Sequence, residues 1–295
     1  MINFIRGKIK NISFLRNFIA YSLAPSGMFD KVIKNMEITN DWKNRIKICK
    51  ECPDNNLINH VMNAGEIVSG KQLMHNGIQI NLGSYYGPEI SQLLLLNRGV
   101  HEPQEEFAFQ EVLKFIRKSP TMLELGSFWA FYSMWLNQKI TGAKCFMVEP
   151  DQFNIQAGIR NFKLNNMKGN FTLATVGIKN KQLKDIKQIG VDDFCNDKGI
   201  EFLDILHSDI QGFEYEMLQG AEKMISLNQI GYIFISTHSN DLHDQCFNFL
   251  KMKNFIILCS ANIDETYSED GLIVARSSDY PGPDKIEISK RVKQI

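Results

Sequence analysis

Leu123-Glu124-Leu125-Gly126-Ser127-Phe128-Trp129-Ala130-Phe131-Tyr132-Ser133 reads as a buried strand, a tight turn and the start of a helix. Gly126 permits close backbone approach at the turn, and Ala130 is small enough for the following helix to pack near it. In an open α/β sheet, a turn of this kind stands at the carboxyl ends of the strands, where ligands bind. The reading predicts a doubly wound α/β fold with its ligand crevice beside Gly126.

Working outward, hydrophobic periodicity from residue 112 onward alternates short β-type runs with helical stretches. Expected strands cover 122–126, 144–149, 170–176, 202–209, 232–237, 255–260 and 271–276, with helices over 131–139, 152–165, 214–226 and 242–252. The loop between the last two strands is too short for a crossover helix, so that pair is antiparallel. The expectation is a seven-stranded, mostly parallel sheet of order 3-2-1-4-5-7-6 with an antiparallel last strand. Met217, Leu218, Ala221, Met224 and Ile225 form an apolar stripe that faces the sheet as core.

Residues 1–100 form an N-terminal appendage, 101–280 the main domain and 281–295 a tail. Residues 1–28 hold Arg6, Lys8, Lys10 and Arg16 with no acid, interleaved with apolar residues. That is a basic amphipathic helix, broken at Arg16-Asn17, for a membrane surface, for self-association or for packing on its own domain. Asn76-Gly77 marks a hairpin turn, and Tyr85 and Tyr86 are candidates to line a substrate pocket. Thirty-three basic residues balance thirty-three acidic ones, which argues against nucleic acid as a partner, because phosphate binding needs clustered cations. Six dispersed cysteines fit a reduced, cytoplasmic setting, and Cys49–Cys52 has no second CxxC with which to build a zinc site.

Glu149, in Phe146-Met147-Val148-Glu149-Pro150-Asp151, puts a carboxylate at the end of the second strand, where it can accept from both hydroxyls of a ribose. Glu124 can accept from a cofactor's ammonium group or position the loop. Ser127 and Ala130, in the turn, and Ala174, near the end of the third strand, complete the expected cofactor contacts with Gly126. A nicotinamide dinucleotide would want a fuller G-x-G-x-x-G for its pyrophosphate, and Phe128 and Trp129 crowd that loop. A cofactor without phosphates fits better.

Residues 100–276 resemble the FkbM family of methyltransferases. Three stretches carry the resemblance. Residues 124–133 are similar to the family's D-x-G-A-N-x-G-Y-Y-S loop, Val148-Glu149-Pro150 to its F-E-P, and His207-Ser208-Asp209-Ile210-Gln211-Gly212-Phe213-Glu214 to its K-I-D-V-E-G-A-E. The chain departs from the pattern at Ala130, which replaces Gly, at Gln211, which replaces Glu, and at Ser127-Phe128. The resemblance implies a Rossmann-like fold, S-adenosylmethionine (SAM) as cofactor and O-methyl transfer to a hydroxyl of a sugar in a glycan or glycosylated metabolite. The two altered motif positions also admit a non-catalytic SAM-binding scaffold, and a nicotinamide-dependent oxidoreductase is a more distant alternative.

Methyl transfer to an alcohol requires in-line alignment and a base for the hydroxyl proton. His238 and His207 are the candidate bases, with Asp209 orienting the base or the acceptor; imidazole suits proton transfer near neutral pH. His207, Asp209 and His238 also make a workable ligand set for a divalent metal. His243 is expected at the surface. His101, Glu102 and Glu105, just before or within a helix that starts at Pro103, are candidates to fold over the substrate.

Overall fold

A computed structural model describes residues 22–292; the basic helix expected within residues 1–28 lies mostly outside that range. The described part of the appendage contributes helices α1 (Asp30–Asn35) and α2 (Asn40–Glu51), then three short antiparallel strands, β1 (Ile67–Val68), β2 (Lys71–Leu73) and β3 (Gln79–Asn81). The expected turn at Asn76-Gly77 joins β2 to β3: Gly77 has a positive φ, and the Asn76 side chain accepts from Ile78 N. Helices α3 (Pro88–Leu96) and α4 (Pro103–Leu113) follow, each opened by a proline whose missing N–H is not needed in the first turn.

From there strands and helices alternate: β4 (Thr121–Leu125), α5 (Phe131–Lys139), β5 (Lys144–Glu149), α6 (Gln152–Leu164) and β6 (Asn170–Leu173). Short strands β7 (Thr175–Val176), β8 (Lys181–Gln182) and β9 (Lys187–Ile189) precede α7 (Val191–Lys198). The remainder is β10 (Leu203–Ser208), α8 (Glu214–Gly220), α9 (Glu222–Ser226), β11 (Ile230–Thr237), α10 (Asn240–Met252), β12 (Ile256–Ala261) and β13 (Gly271–Arg276). The seven-stranded sheet runs β12-β13-β11-β10-β4-β5-β6, which is the order expected from the sequence. Within it β13 is antiparallel to both neighbours, while the other pairings described among β4, β5, β6, β10 and β11 are parallel.

Two expected elements are divided. The run 170–176 breaks at Ala174, whose N–H bonds to the Glu149 carbonyl; β6 stays in the large sheet, whereas β7 joins a separate three-stranded sheet with β9 and β8. The helix expected over 214–226 breaks after Gly220 because the Asp192 carboxylate accepts from Lys223 N and Met224 N and so caps a new helix.

Strand alternation divides the interior into two layers. Met122, Ile205, Tyr232 and Phe234 face a core shared with α4, α5 and the appendage, while Leu123, Leu206, Ile233 and Ile235 face α7 to α10. The appendage residues Ile46, Met74, Ile78, Tyr85 and Leu93 belong to the first of these cores, so the appendage is packed into the main domain. The 281–292 stretch is a strap: Ile286 is buried and pairs with Leu258, and Ser289 bonds the Asp54 carboxylate. His243 is buried between Thr237 and Ser260, not at the surface, because its face of α10 packs on the sheet edge. No helix of the described residues is long and apolar enough to cross a membrane.

Candidate active site

At the carboxyl ends of β4, β5 and β10 lies a cleft of about 290 Å³, lined by Gly126, Phe128, Glu149, Asn154, Thr175, Phe213 and their neighbours. Glu149 is fixed at its rim: Oε2 accepts from Phe128 N (3.1 Å), while Oε1 accepts from Asp151 N (2.9 Å) and Asn154 Nδ2 (3.3 Å). A carboxylate offers about four lone-pair sites, so these bonds leave one open, and the long Asn154 bond is the easiest to exchange. Burial pushes the Glu149 carboxyl above its ordinary value, against the three hydrogen bonds.

Gly126 is required by packing as well as by its left-handed φ of 70°, since a Cβ there would collide with the Asp209 carbonyl oxygen. The same contact holds the β4 turn against the β10 turn. Glu124 is turned inward and lines neither this cleft nor its neighbour. Its carboxylate accepts from Ser133 N at 3.0 Å, capping α5, whose N-cap residue Ala130 has no side chain able to do so. Ser127, Ala130 and Ala174 are buried behind the cleft wall, and Thr175 and Val176 present the surface expected of Ala174. Ala130 has a φ of 60°, a conformation that favours glycine, which gives a physical reason for Gly in the related loop.

A second cavity, of about 660 Å³, adjoins the first; Tyr86, Asp209 and Gln211 line both. Its other walls come from distant parts of the chain: Trp42 and Arg45 from α2, Tyr85 and Glu89, Glu102, and Glu269 with Asp270 from the loop before β13. Tyr85 stacks on Trp129 at 4.2 Å between centroids, 8° from parallel, so its ring is fixed by the loop that forms the cofactor side. Arg45 pairs with Glu269 at 2.9 Å and lies over the Trp42 ring. Of the expected substrate contacts, Tyr85, Tyr86 and Glu102 line this cavity, whereas His101 and Glu105 do not.

His101 and Glu105 belong instead to buried ionic chains behind the wall. His101 lies 2.6 Å from Glu106 and 3.3 Å from Glu102, and Glu106 lies 2.9 Å from His75. Burial alone would lower the His101 pKa; Glu106 and Glu102 outweigh it and push the ring up to about 10. Glu106 is correspondingly held far below the usual carboxylate range by His101 and His75, against its burial. Glu105 contacts His207 at 2.6 Å and accepts from Ser236 Oγ at 3.1 Å. His207 shares the strand face of Ile205 and Phe234, which points into the α4 core, so it reaches neither cavity. It therefore stands apart from His238 and Asp209 both as a candidate base and as a candidate metal ligand. The signal that could have foretold this is the period-two match of His207 to its apolar strand neighbours, together with acidic Glu105 on the facing helix.

Asp209 and His238 do come together, at the ends of β10 and β11. His238 Nδ1 lies 2.9 Å from Glu214 Oε1, and Nε2 lies 3.3 Å from Asp209 Oδ1 and 3.5 Å from Asp270 Oδ1. Glu214, fully buried, also accepts from Ile210 N and Gly212 N and so fixes the 210–214 turn. Burial opposes charge on His238, but hydrogen bonds to Asp209 and Glu214 and the field of Asp270 raise its pKa to about 10. Asp270, which sequence reasoning missed, is pushed up to about 7 by burial and by Asp209. Only the fold brings its loop beside β10.

A Rossmann-like sheet with an acidic residue at the tip of its second strand and a cleft beside its first turn is shared by nucleoside-binding α/β proteins, the methyltransferase class among them. The chain belongs to the FkbM methyltransferase family: residues 43–262 match the Methyltransferase FkbM domain. SAM is the cofactor of that class. Among solved structures the chain is similar to M. capricolum TrmK in complex with S-adenosyl-homocysteine, at 16% identity, with 62% of this chain and 71% of that one covered and a TM-score of 0.42. It is also similar to the precorrin-6y C5,15-methyltransferase of Geobacter metallireducens, at 11% identity, 59% and 89% coverage and a TM-score of 0.42. A putative tRNA (m1A22) methyltransferase of Streptococcus pneumoniae gives 14% identity, 62% and 72% coverage and a TM-score of 0.41. A comparison with curated proteins gives no match.

The residues around the smaller cleft fit a nucleoside cofactor. Glu149 has an acceptor site to offer a ribose, Phe128 and Phe213 supply apolar faces for a base, and none of the described lining residues is Lys or Arg, as a pyrophosphate would want.

Proposed function

We propose that the chain is a SAM-dependent O-methyltransferase whose acceptor is a hydroxyl of a sugar in a glycan or glycosylated metabolite. The observation that carries this reading is the shared wall: Tyr86, Asp209 and Gln211 face both the nucleoside-sized cleft and the larger cavity. Bound SAM supplies an electrophilic methyl group. The chain itself aligns donor and acceptor across that wall and excludes water with Tyr85, Tyr86 and Phe128. Trp42, Tyr85 and Tyr86 offer ring faces to a sugar, and Glu89, Glu102, Asp209, Glu269 and Asp270 offer acceptors for its hydroxyls. Against these carboxylates the described lining presents one guanidinium, Arg45, a balance that disfavours nucleic acid and phosphorylated acceptors.

With its pKa raised to about 10, His238 is charged at neutral pH, so Asp209 takes the hydroxyl proton and His238 orients and stabilises it. His238→Asn is expected to slow transfer on the order of 100-fold while SAM affinity is kept; an unimpaired variant removes His238 from this role. Calorimetry with SAM and with NAD tests the cofactor, and binding of NAD alone would end the proposal. Deleting the gene and searching the cell's glycans for a lost methyl group by mass spectrometry tests the acceptor. SAM binding with no release of S-adenosylhomocysteine on those glycans would instead favour the scaffold reading.

A further inference from the structure

Where the two cavities meet, Asp209, His238 and Asp270 converge from the ends of β10 and β11 and from the loop before β13. One ligand-capable atom from each lies within 4.8 Å of the others. We propose that these three side chains bind a divalent metal ion at the junction of the cofactor cleft and the acceptor cavity. The ion's role there rests on the methyl-transfer reading; its binding does not.

Once the ion takes the place of the Nε2 proton, the imidazole is set for ligation. Its Nδ1 is tied to the fully buried Glu214 at 2.9 Å, which turns Nε2 toward Asp209 and Asp270. A carboxylate on the far nitrogen is the usual arrangement behind a metal-bound histidine, because it fixes the tautomer and raises ligand basicity. Glu214 Oε2 is buried without a hydrogen-bond partner, so negative charge accumulates behind the ring beyond what local donors satisfy. In front of the ring the space is held by the Gln211 side-chain amide, whose nitrogen lies 2.7 Å from His238 Nε2 and 3.2 Å from Asp209 Oδ1. That amide sits where a ring nitrogen and carboxylate oxygens converge, the position a cation would take, and Gln211 stands exposed at the cavity surface.

One nitrogen and two carboxylate oxygens, with remaining positions open, suit Mn²⁺ or Mg²⁺. Asp209 and Asp270 line the acceptor cavity, so the open positions face an incoming hydroxyl, and Asp209 Oδ2 stays outside the trio for its proton. The site differs from the His207, Asp209 and His238 set expected from the sequence: Asp270 takes the place of the core-bound His207.

The test is to titrate Mn²⁺ into the full chain, without SAM or acceptor, and follow the free-ion signal by electron paramagnetic resonance. One saturable site is expected, displaced by Mg²⁺. Asp270→Asn and His238→Asn should each weaken it at least tenfold, Glu214→Gln by about tenfold, and the exposed Asp185→Asn should leave it unchanged. Should a variant fail to fold, spin-echo spectra of the wild-type Mn²⁺ complex still decide the matter: coupling to one imidazole nitrogen is expected. No saturable binding, full-strength binding in the double variant Asp270→Asn/His238→Asn, or absence of nitrogen coupling would each overturn the site. Calorimetry with SAM on the same preparation keeps the two ideas apart, since a protein that holds Mn²⁺ but not SAM loses the methyl-transfer reading alone, and the reverse loses only the ion.

Discussion

The two cavities share a wall but are built by opposite means. The cofactor cleft is made from turns that each follow a strand directly, and its key residues are anchored within a few residues or on the adjacent turn: Glu149 by Asp151, Asn154 and Phe128, and the turn at Gly126 by Asp209 N, which donates to the Leu125 carbonyl. The larger cavity, the proposed acceptor side, gathers α2, the Tyr85–Glu89 stretch, Glu102, the β10 turn and the loop before β13, and is backed by buried ionic chains. A cofactor common to a whole class can be met by a local, repeated pattern. An acceptor particular to one protein needs walls recruited from wherever the chain can supply them.

That contrast can be broken most directly at Glu106. Glu106→Gln leaves His101 without its principal buried counter-charge and should destabilise the fold by about 3–5 kcal/mol, measured by chemical denaturation. SAM affinity of the folded fraction should stay near wild type; a large loss of affinity would show that the two cavities are not separately supported. The same pair sets a pH signature. Because the folded pKa of His101 is raised from 6.5 to about 10, its stabilising contribution is complete below 6.5 and is lost as pH climbs toward 10. Glu106 is lowered from 4.5, so its contribution is present above 4.5 and disappears as pH falls below that. Unfolding free energy should therefore decline on the alkaline side in the wild type, and the decline should flatten in Glu106→Gln; parallel slopes in the two proteins would contradict the assignment.

On the cofactor side, Glu149→Ala removes a ribose acceptor and unpins Phe128 N and Asp151 N, and should weaken SAM binding by about 1.5–3 kcal/mol, roughly 10- to 100-fold. Unchanged affinity by calorimetry would count against the ribose role. The smallest effect is expected at Ala130, which holds a left-handed φ of 60°. Ala130→Gly should stabilise the protein by about 1 kcal/mol with little change in SAM affinity, because the side chain is buried behind the cleft wall. A marked change in affinity would mean that the α5 turn contacts the cofactor after all.

How much was legible follows from the range of the forces involved. Strand alternation and the apolar stripe of the helices are local regularities, so the sheet order and the places of Gly126, Glu149, Asp209 and His238 could be read from residues near one another in sequence. Even within that local pattern, the partners of side chains escaped: Glu124 accepts from Ser133 N at the start of α5, and His207 pairs with Glu105. For both, the deciding partner is on another element.

The sequence by itself determined the α/β architecture, the family and the acidic tip of the second strand, since each is encoded in periodicity or in contiguous motifs. Only the tertiary structure decided that Asp270 joins Asp209 and His238, that Trp42, Arg45 and Glu269 line the larger cavity, and that His101 and Glu105 are buried behind it. The physical reason is that a charged side chain goes wherever a counter-charge or water can offset its desolvation, and across a folded core those partners come from segments that nothing in the linear order brings together.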